Sequence, residues 1–228
     1  MRLAGRVAIV TGAGSGFGAG IARRFAQEGA RVACVDIDER AAAAVAGELA
    51  DGRGFAVQCD ISSGVSYAAM VARVIDCAGG FDTIVSNAAL TQKPARIAKT
   101  SEAEVDRLLA VNVKSFYWMA VHALPVLRKR GGGVVINIAS VTAVRPRPGM
   151  CWYQATKAAV VSITQTMAAE LAPDRIRVNA IAPAVGNTRP RDRRWVPLAR
   201  GRFRYPTSRP PSTGRIAPVT YDASSDAR

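Results

Sequence analysis

Short runs rich in valine, isoleucine and alanine alternate along most of the chain with longer stretches of helical composition. The apolar runs at Val7 to Thr11, Arg31 to Val35, Phe55 to Cys59, Thr83 to Ser86, Val134 to Ile138 and Arg177 to Ala180 read as six strands. They carry few charges, as strands do when a parallel sheet is covered on both faces. Between them the sequence predicts helices over Gly16 to Glu28, Glu39 to Ala50, Val65 to Ala78, Glu102 to Arg130 and Trp152 to Ala172. Glycine at 29, 79 and 131 and proline at 173 mark their ends, because glycine tolerates the left-handed backbone that closes a helix and proline cannot continue one. Strand and helix in alternation predict right-handed βαβ units, hence an α/β fold on a doubly wound parallel sheet with helices on both faces.

The alternation stops at Thr188. Residues 189–228 contain ten arginines, no lysine, three aspartates and six of the twelve prolines, with no sustained period of 3.6 or 2.0. The expectation is one domain over 1–188 followed by an irregular tail over 189–228, whose composition resembles a shifted reading frame. The tail also changes the meaning of the net charge of +14, because half of it lies there. Arginine-rich sequence attracts polyanions, but Trp195, Phe203 and Tyr205 have no recognisable domain around them, so no specific nucleic-acid function is expected.

Two patterns carry chemistry. Thr11 to Gly18, TGAGSGFG, follows the first strand and opens the first helix, the context in which main-chain N–H groups and a helix dipole meet a pyrophosphate. Asp36, at the end of the second strand, stands where a carboxylate can accept from adenosine ribose hydroxyls and repel a 2'-phosphate. A turn-holding or helix-capping aspartate is the alternative. Tyr153 and Lys157 lie at i and i+4 on a predicted helix, hence on one face. A phenol of reference pKa about 10 becomes a usable acid or base when a neighbouring ammonium stabilises its phenolate. Surface decoration is the competing reading of such a pair.

The spacing TGxxxGxG, together with YxxxK, resembles the short-chain dehydrogenase/reductase family. Further motifs of that family follow in order. Asp60-Ile61 is similar to its adenine contact, Ser86-Asn87-Ala88-Ala89 to its NNAG motif with two departures, and Pro183 to Thr188 to its PGxxxT loop with Ala184 in place of glycine. Ser140 stands thirteen residues before Tyr153, where the family carries its catalytic serine, and Asn112 in VNVK matches the family's fourth catalytic residue.

The resemblance implies a single Rossmann-like domain whose last strand is missing. It also implies hydride transfer between NAD(H) and a secondary alcohol or ketone. Asn112, Ser140, Tyr153 and Lys157 would be catalytic. The cofactor would meet Gly12, Ser15, Gly16, Phe17, Gly18, Asp36, Ile37, Asp60, Ile61, Asn87, Ala88, Tyr153, Lys157, Pro183 and Thr188. NAD is expected over NADP because of Asp36. A family member that binds nucleotide but turns over poorly, for want of a normal C-terminus, is the alternative.

The rest of the sequence narrows the setting. Cys34, Cys59, Cys77 and Cys151 show no CxxC spacing, so neither a metal site nor a disulfide framework is expected. The N-terminus offers only a short apolar run before its glycine turn, which predicts a cytoplasmic chain with no membrane partner. His122, the sole histidine, reads as a packing residue and excludes a serine-hydrolase triad. Family resemblance implies a small-molecule substrate and a homo-oligomer, a dimer or tetramer. Arg145 and Arg147, between Ser140 and Tyr153, face either an anionic group near the site or solvent.

Overall fold

A computed structural model describes residues 1–184; residues 185–228, which include Thr188 and the basic tail, lie outside it. Six strands, β1 (Val7–Thr11), β2 (Arg31–Asp36), β3 (Gly54–Gln58), β4 (Thr83–Ser86), β5 (Gly133–Ile138) and β6 (Ile176–Ile181), form one parallel sheet in the order β3-β2-β1-β4-β5-β6. The order reverses between β1 and β4, whose register sets Val10 beside Val85 while β1's other neighbour sets Val10 beside Cys34. In a doubly wound sheet the crevice for a ligand opens beyond the strand C-termini at that reversal. The crevice here is bounded by the segments that leave β1 at Thr11, β4 at Ser86 and β5 at Ile138.

The helices are α1 (Gly16–Gln27), α2 (Glu39–Glu48), α3 (Gly64–Ala78), α4 (Glu102–Leu109), α5 (Ser115–His122), α6 (Leu124–Lys129) and α7 (Cys151–Leu171). Their bounds fall within two residues of the sequence expectation except in one place. The single helix expected over Glu102 to Arg130 is three helices, because a π-helical turn at Ala110–Lys114 separates α4 from α5 and Pro125 opens α6. Proline lacks an N–H and fits only a first turn, so the helix restarts there. The sequence pattern missed the π turn because its apolar period continues through it.

Two apolar clusters cover the sheet. One packs α3, α5, α6 and α7 on β1, β4 and β5 through Met70, Val74, Met119, Leu127, Val160 and Leu171. The other packs α1 and α2 through small side chains, among them Ala19, Ala22, Ala26, Ala42 and Ala46. Alanines let α1 lie close under the glycine turn that precedes it. Along β6 only one side is covered among the described residues: Ile176 and Val178 are buried under α7, while Arg177 and Ile181 are exposed. The sheet expected to be covered on both faces is so covered at β1, whose five residues are all buried, and not at this edge. No described helix is long and apolar enough to cross a membrane. His122 packs near Tyr67 and Trp118, at ring-centroid distances of 6.5 and 6.1 Å.

Candidate active site

The glycine turn is shaped by the groups that stand behind it. Gly12 and Gly16 have φ of 65° and 59°, a region glycine enters without penalty. A Cβ at Gly12 would come within 2.9 Å of both Asn87 Nδ2 and Ala88 Cα; one at Gly18 would lie 2.6 Å from the same Nδ2 and against the Gly12 carbonyl oxygen. Asn87 occupies that space because its Nδ2 donates to the Thr11 carbonyl at 2.8 Å and the Gly12 carbonyl at 3.3 Å. The Thr11 hydroxyl in turn accepts from the N–H groups of Asn87 and Ala88, at 3.0 and 3.1 Å. Asn87 and Thr11 thus lock the ends of β4 and β1 together. Thr11 is a site residue that the motif did not single out, although it stands first in it.

Ser15 is the N-cap of α1, yet its side chain makes no capping bond. The first-turn N–H groups at Gly16, Phe17 and Gly18 therefore have no side-chain acceptor among the described residues, which is how a helix N-terminus receives phosphate. Glycine-walled space, free first-turn donors and a half-buried carboxylate at Asp36 together fit a dinucleotide.

Asp36 holds the loop as well as facing it. One carboxylate oxygen accepts from the Gly14 N–H at 2.9 Å and the other from the Asp38 N–H at 3.1 Å. The cap of α2 is Asp38, which accepts from the N–H groups of Arg40 and Ala41 at 3.0 and 3.1 Å. A carboxylate oxygen has room for a second donor, so a turn-holding Asp36 can still receive ribose hydroxyls. Ile37 beside it is 65% exposed. Asp60 spends one oxygen on the N–H and hydroxyl of Ser62, and Ile61 is buried in the core, so a ligand meets little of its side chain. Pro183 is anchored by its carbonyl, which accepts from the Val141 N–H at 3.0 Å.

At the other end, β5 delivers Ser140 and α7 delivers Tyr153 and Lys157. Ser140 is buried and its hydroxyl accepts from the Thr142 N–H and hydroxyl at 3.2 and 2.9 Å. Lys157 is 4% exposed, which removes the surface-decoration reading. Its Nζ donates to the Ile138 carbonyl at 2.7 Å and lies 5.9 Å from the centre of the Tyr153 ring. Burial brings its pKa down to about 8. Burial also pushes the Tyr153 phenol above the ordinary tyrosine value, with the neighbouring Ser140 hydroxyl opposing the rise. That is opposite to the direction expected from an adjacent ammonium: loss of water around the phenol prevails, and the lysine is fastened to a carbonyl on the strand.

Polar side chains around α7 hold this geometry. Asn112, 2% exposed within the π turn, accepts from the Leu90 N–H at 2.8 Å and donates to the Leu90 carbonyl at 2.9 Å and the Thr156 hydroxyl at 3.0 Å. The Thr156 hydroxyl in turn donates a hydrogen bond to the Tyr153 carbonyl at 2.7 Å. The N-cap of α7 is Met150, which has no capping side chain. Gln92 serves instead, its Oε1 accepting from the Tyr153 N–H at 3.1 Å. Gln154 accepts from the Arg147 N–H at 2.7 Å and donates back to its carbonyl at 2.5 Å. Neither glutamine was expected: Gln92 lies 61 residues from its partner, which leaves no local signal, and Gln154 bonds main-chain groups, which no motif spells out.

Comparison with known proteins shows the family to which the chain belongs. The family model for short chain dehydrogenase matches residues 6–195, running past Thr188. The 4-formylbenzenesulfonate dehydrogenase TsaC1/TsaC2 of Comamonas testosteroni is 44% identical over 190 residues, covering 82% of this chain and 75% of that protein. Human dehydrogenase/reductase SDR family member 4 is 36% identical over 189 residues, covering 82% and 68%. The crystal structure of a 3-ketoacyl-(acyl-carrier-protein) reductase from Brucella melitensis complexed with NADH superimposes with a TM-score of 0.80 at 44% identity, covering 82% of this chain and 78% of that one.

Proposed function

The chain belongs to the short chain dehydrogenase family and is an oxidoreductase of it, and from that premise we propose that it exchanges a hydride between NAD(H) and a secondary alcohol or ketone. The observation that carries the reading is Lys157, buried one turn from Tyr153 and fastened to the strand that ends at Ser140. Bound nicotinamide supplies or accepts the hydride at its C4. Ser140 holds the substrate oxygen. Tyr153 gives that oxygen a proton in the reductive direction and takes it back in the oxidative one. Lys157, with a pKa of about 8, is largely cationic near neutrality. It stabilises the phenolate that forms and has two further N–H donors for the nicotinamide ribose. Asn112 fixes the helix that carries Tyr153, and its main chain in the π turn is assigned the water that links Lys157 to solvent.

The dinucleotide is assigned to Gly12, Ser15, Gly16, Phe17 and Gly18 at its pyrophosphate, and to Asp36, Ile37, Asp60 and Ile61 at its adenosine. Asn87, Ala88, Tyr153, Lys157, Pro183 and Thr188 are assigned to its nicotinamide half, within a domain proposed to span 1–188. Asp36 favours NAD, because a 2'-phosphate beside a carboxylate would need a neighbouring cation. A homo-oligomer in the cytoplasm acting on a small molecule completes the proposal.

Calorimetric titration with NADH and NADPH, together with a screen of ketones and secondary alcohols read by NADH absorbance, tests it. Tighter binding of NADH by about tenfold, a gap that narrows in Asp36→Ala, and turnover of at least one carbonyl compound are expected. NADH binding without any turnover would favour a binding-only protein; no binding would end the proposal.

A further inference from the structure

The described residues distribute their charge unevenly around the crevice. Residues 90–100, which follow β4, contain Lys93, Arg96 and Lys99 and no carboxylate; residues 141–150, which follow Ser140, contain Arg145 and Arg147 and no carboxylate. The remainder of 1–188 holds 16 basic and 14 acidic residues, so these two loops contribute five of a net seven positive charges. All five side chains are exposed, and none takes part in an ion pair among the described residues.

The two loops are bound to each other and to the start of α7. The Ala95 N–H donates to the Gly149 carbonyl at 2.9 Å, Trp152 Nε1 to the Ile97 carbonyl at 3.4 Å, and Gln92 holds the Tyr153 N–H. Gln154 clamps both main-chain groups of Arg147. They therefore frame the approach to Ser140 and Tyr153, and the framing rests on main-chain, tryptophan and glutamine contacts that leave the five charged groups unused. Uncompensated cations at a crevice mouth raise the local concentration of anions and select for them.

We propose that the substrate of this site is a small carbonyl compound or alcohol carrying a carboxylate or sulfonate, held by the cations of the two loops flanking Ser140 and Tyr153. The inference rests on the hydride-transfer reading. Its test is a panel of keto carboxylates, each paired with its methyl ester, assayed with NADH at low salt and at about 0.5 M salt.

The acid of at least one pair should exceed its ester in kcat/KM by about tenfold at low salt, mostly through KM, and high salt should erase most of that ratio. Arg145→Gln with Arg147→Gln, and separately Lys93→Gln with Arg96→Gln and Lys99→Gln, should lower the ratio several-fold in one set or both. Rates on the ester should hold, which reports intact folding, and NADH affinity should be unchanged. Equal rates on acid and ester in the parent, or a preference that survives both variant sets and high salt, would overturn the proposal while hydride transfer stands. Inhibition of ester turnover by polyglutamate alongside equal rates on acid and ester would assign the loops to an acidic macromolecule and overturn it too. No turnover of any pair by an enzyme that binds NADH overturns it, and absence of NADH binding overturns the hydride-transfer reading beneath it as well.

Discussion

At the β1–α1 end of the crevice the groups that face a ligand are main-chain N–H groups, walled by glycines whose missing side chains make the space. At the β5–α7 end they are side chains, Ser140, Tyr153 and Lys157, held from different directions by Thr142, by the buried Gln92 side chain and by the Ile138 carbonyl. In the proposed scheme the first end acts by shape and dipole, the second by protons. Their separation implies that damage at one should leave the other's function standing, an independence that substitutions at either end can break.

The largest effect is expected at Tyr153. Tyr153→Phe removes the proton donor without changing the ring that packs beneath it, so kcat should fall about a thousandfold while the NADH dissociation constant from calorimetry stays within about twofold. A rate close to that of the parent would remove Tyr153 from the chemistry. The counterpart is Gly18→Ala. Its Cβ would strike the Gly12 carbonyl and Asn87, so the turn must deform; NADH affinity should fall by about a hundredfold. If kcat at saturating NADH falls equally, the two ends are not separate.

What the sequence made legible divides along the same line. The β1–α1 end is local: the glycines, the strand before them and Asp36 lie within thirty residues, and their spacing states their geometry. Even there Asp36 carries a second duty, as an acceptor for Gly14 and Asp38, that no spacing encodes. At the β5–α7 end the residues proposed to react are legible through YxxxK and the serine before it, whereas their supports are not. Gln92 and Asn112 reach α7 across long sequence separations, and the π turn that aims Asn112 leaves the apolar period of its helix unbroken. The direction of the Tyr153 shift departs from the sequence expectation for a related reason: spacing reports which groups are near, and burial, which decides the sign here, is a property of the whole fold.

Lys157 gives a test by pH. Its folded pKa of about 8 lies below the ordinary 10.5, so between those values the unfolded chain binds more protons and the parent gains stability as pH rises through that window. The gain is about 3 kcal/mol at full span. In Lys157→Met that contribution is absent. Buried Cys34, raised to about 11, works in the opposite direction but does so in both chains, so the difference between parent and variant isolates the lysine. Urea midpoints at pH 7.5 and 10 should rise less, or fall more, in the variant than in the parent. Parallel changes in the two chains would mean that Lys157 titrates normally.

The smallest effect belongs to Gln92, which touches neither ligand in the proposed scheme yet supplies the acceptor that Met150 cannot. Gln92→Ala leaves a first-turn N–H of α7 without its partner in a buried place, which should cost about 1 kcal/mol in urea denaturation. Because that N–H belongs to Tyr153, kcat should drop a few-fold through misplacement of the phenol. NADH affinity should hold, since the β1–α1 end shares no hydrogen bond with Gln92. A variant that loses NADH affinity in step with kcat would show that the helix start communicates with the glycine turn, and the division of the crevice into a main-chain end and a side-chain end would have to be withdrawn.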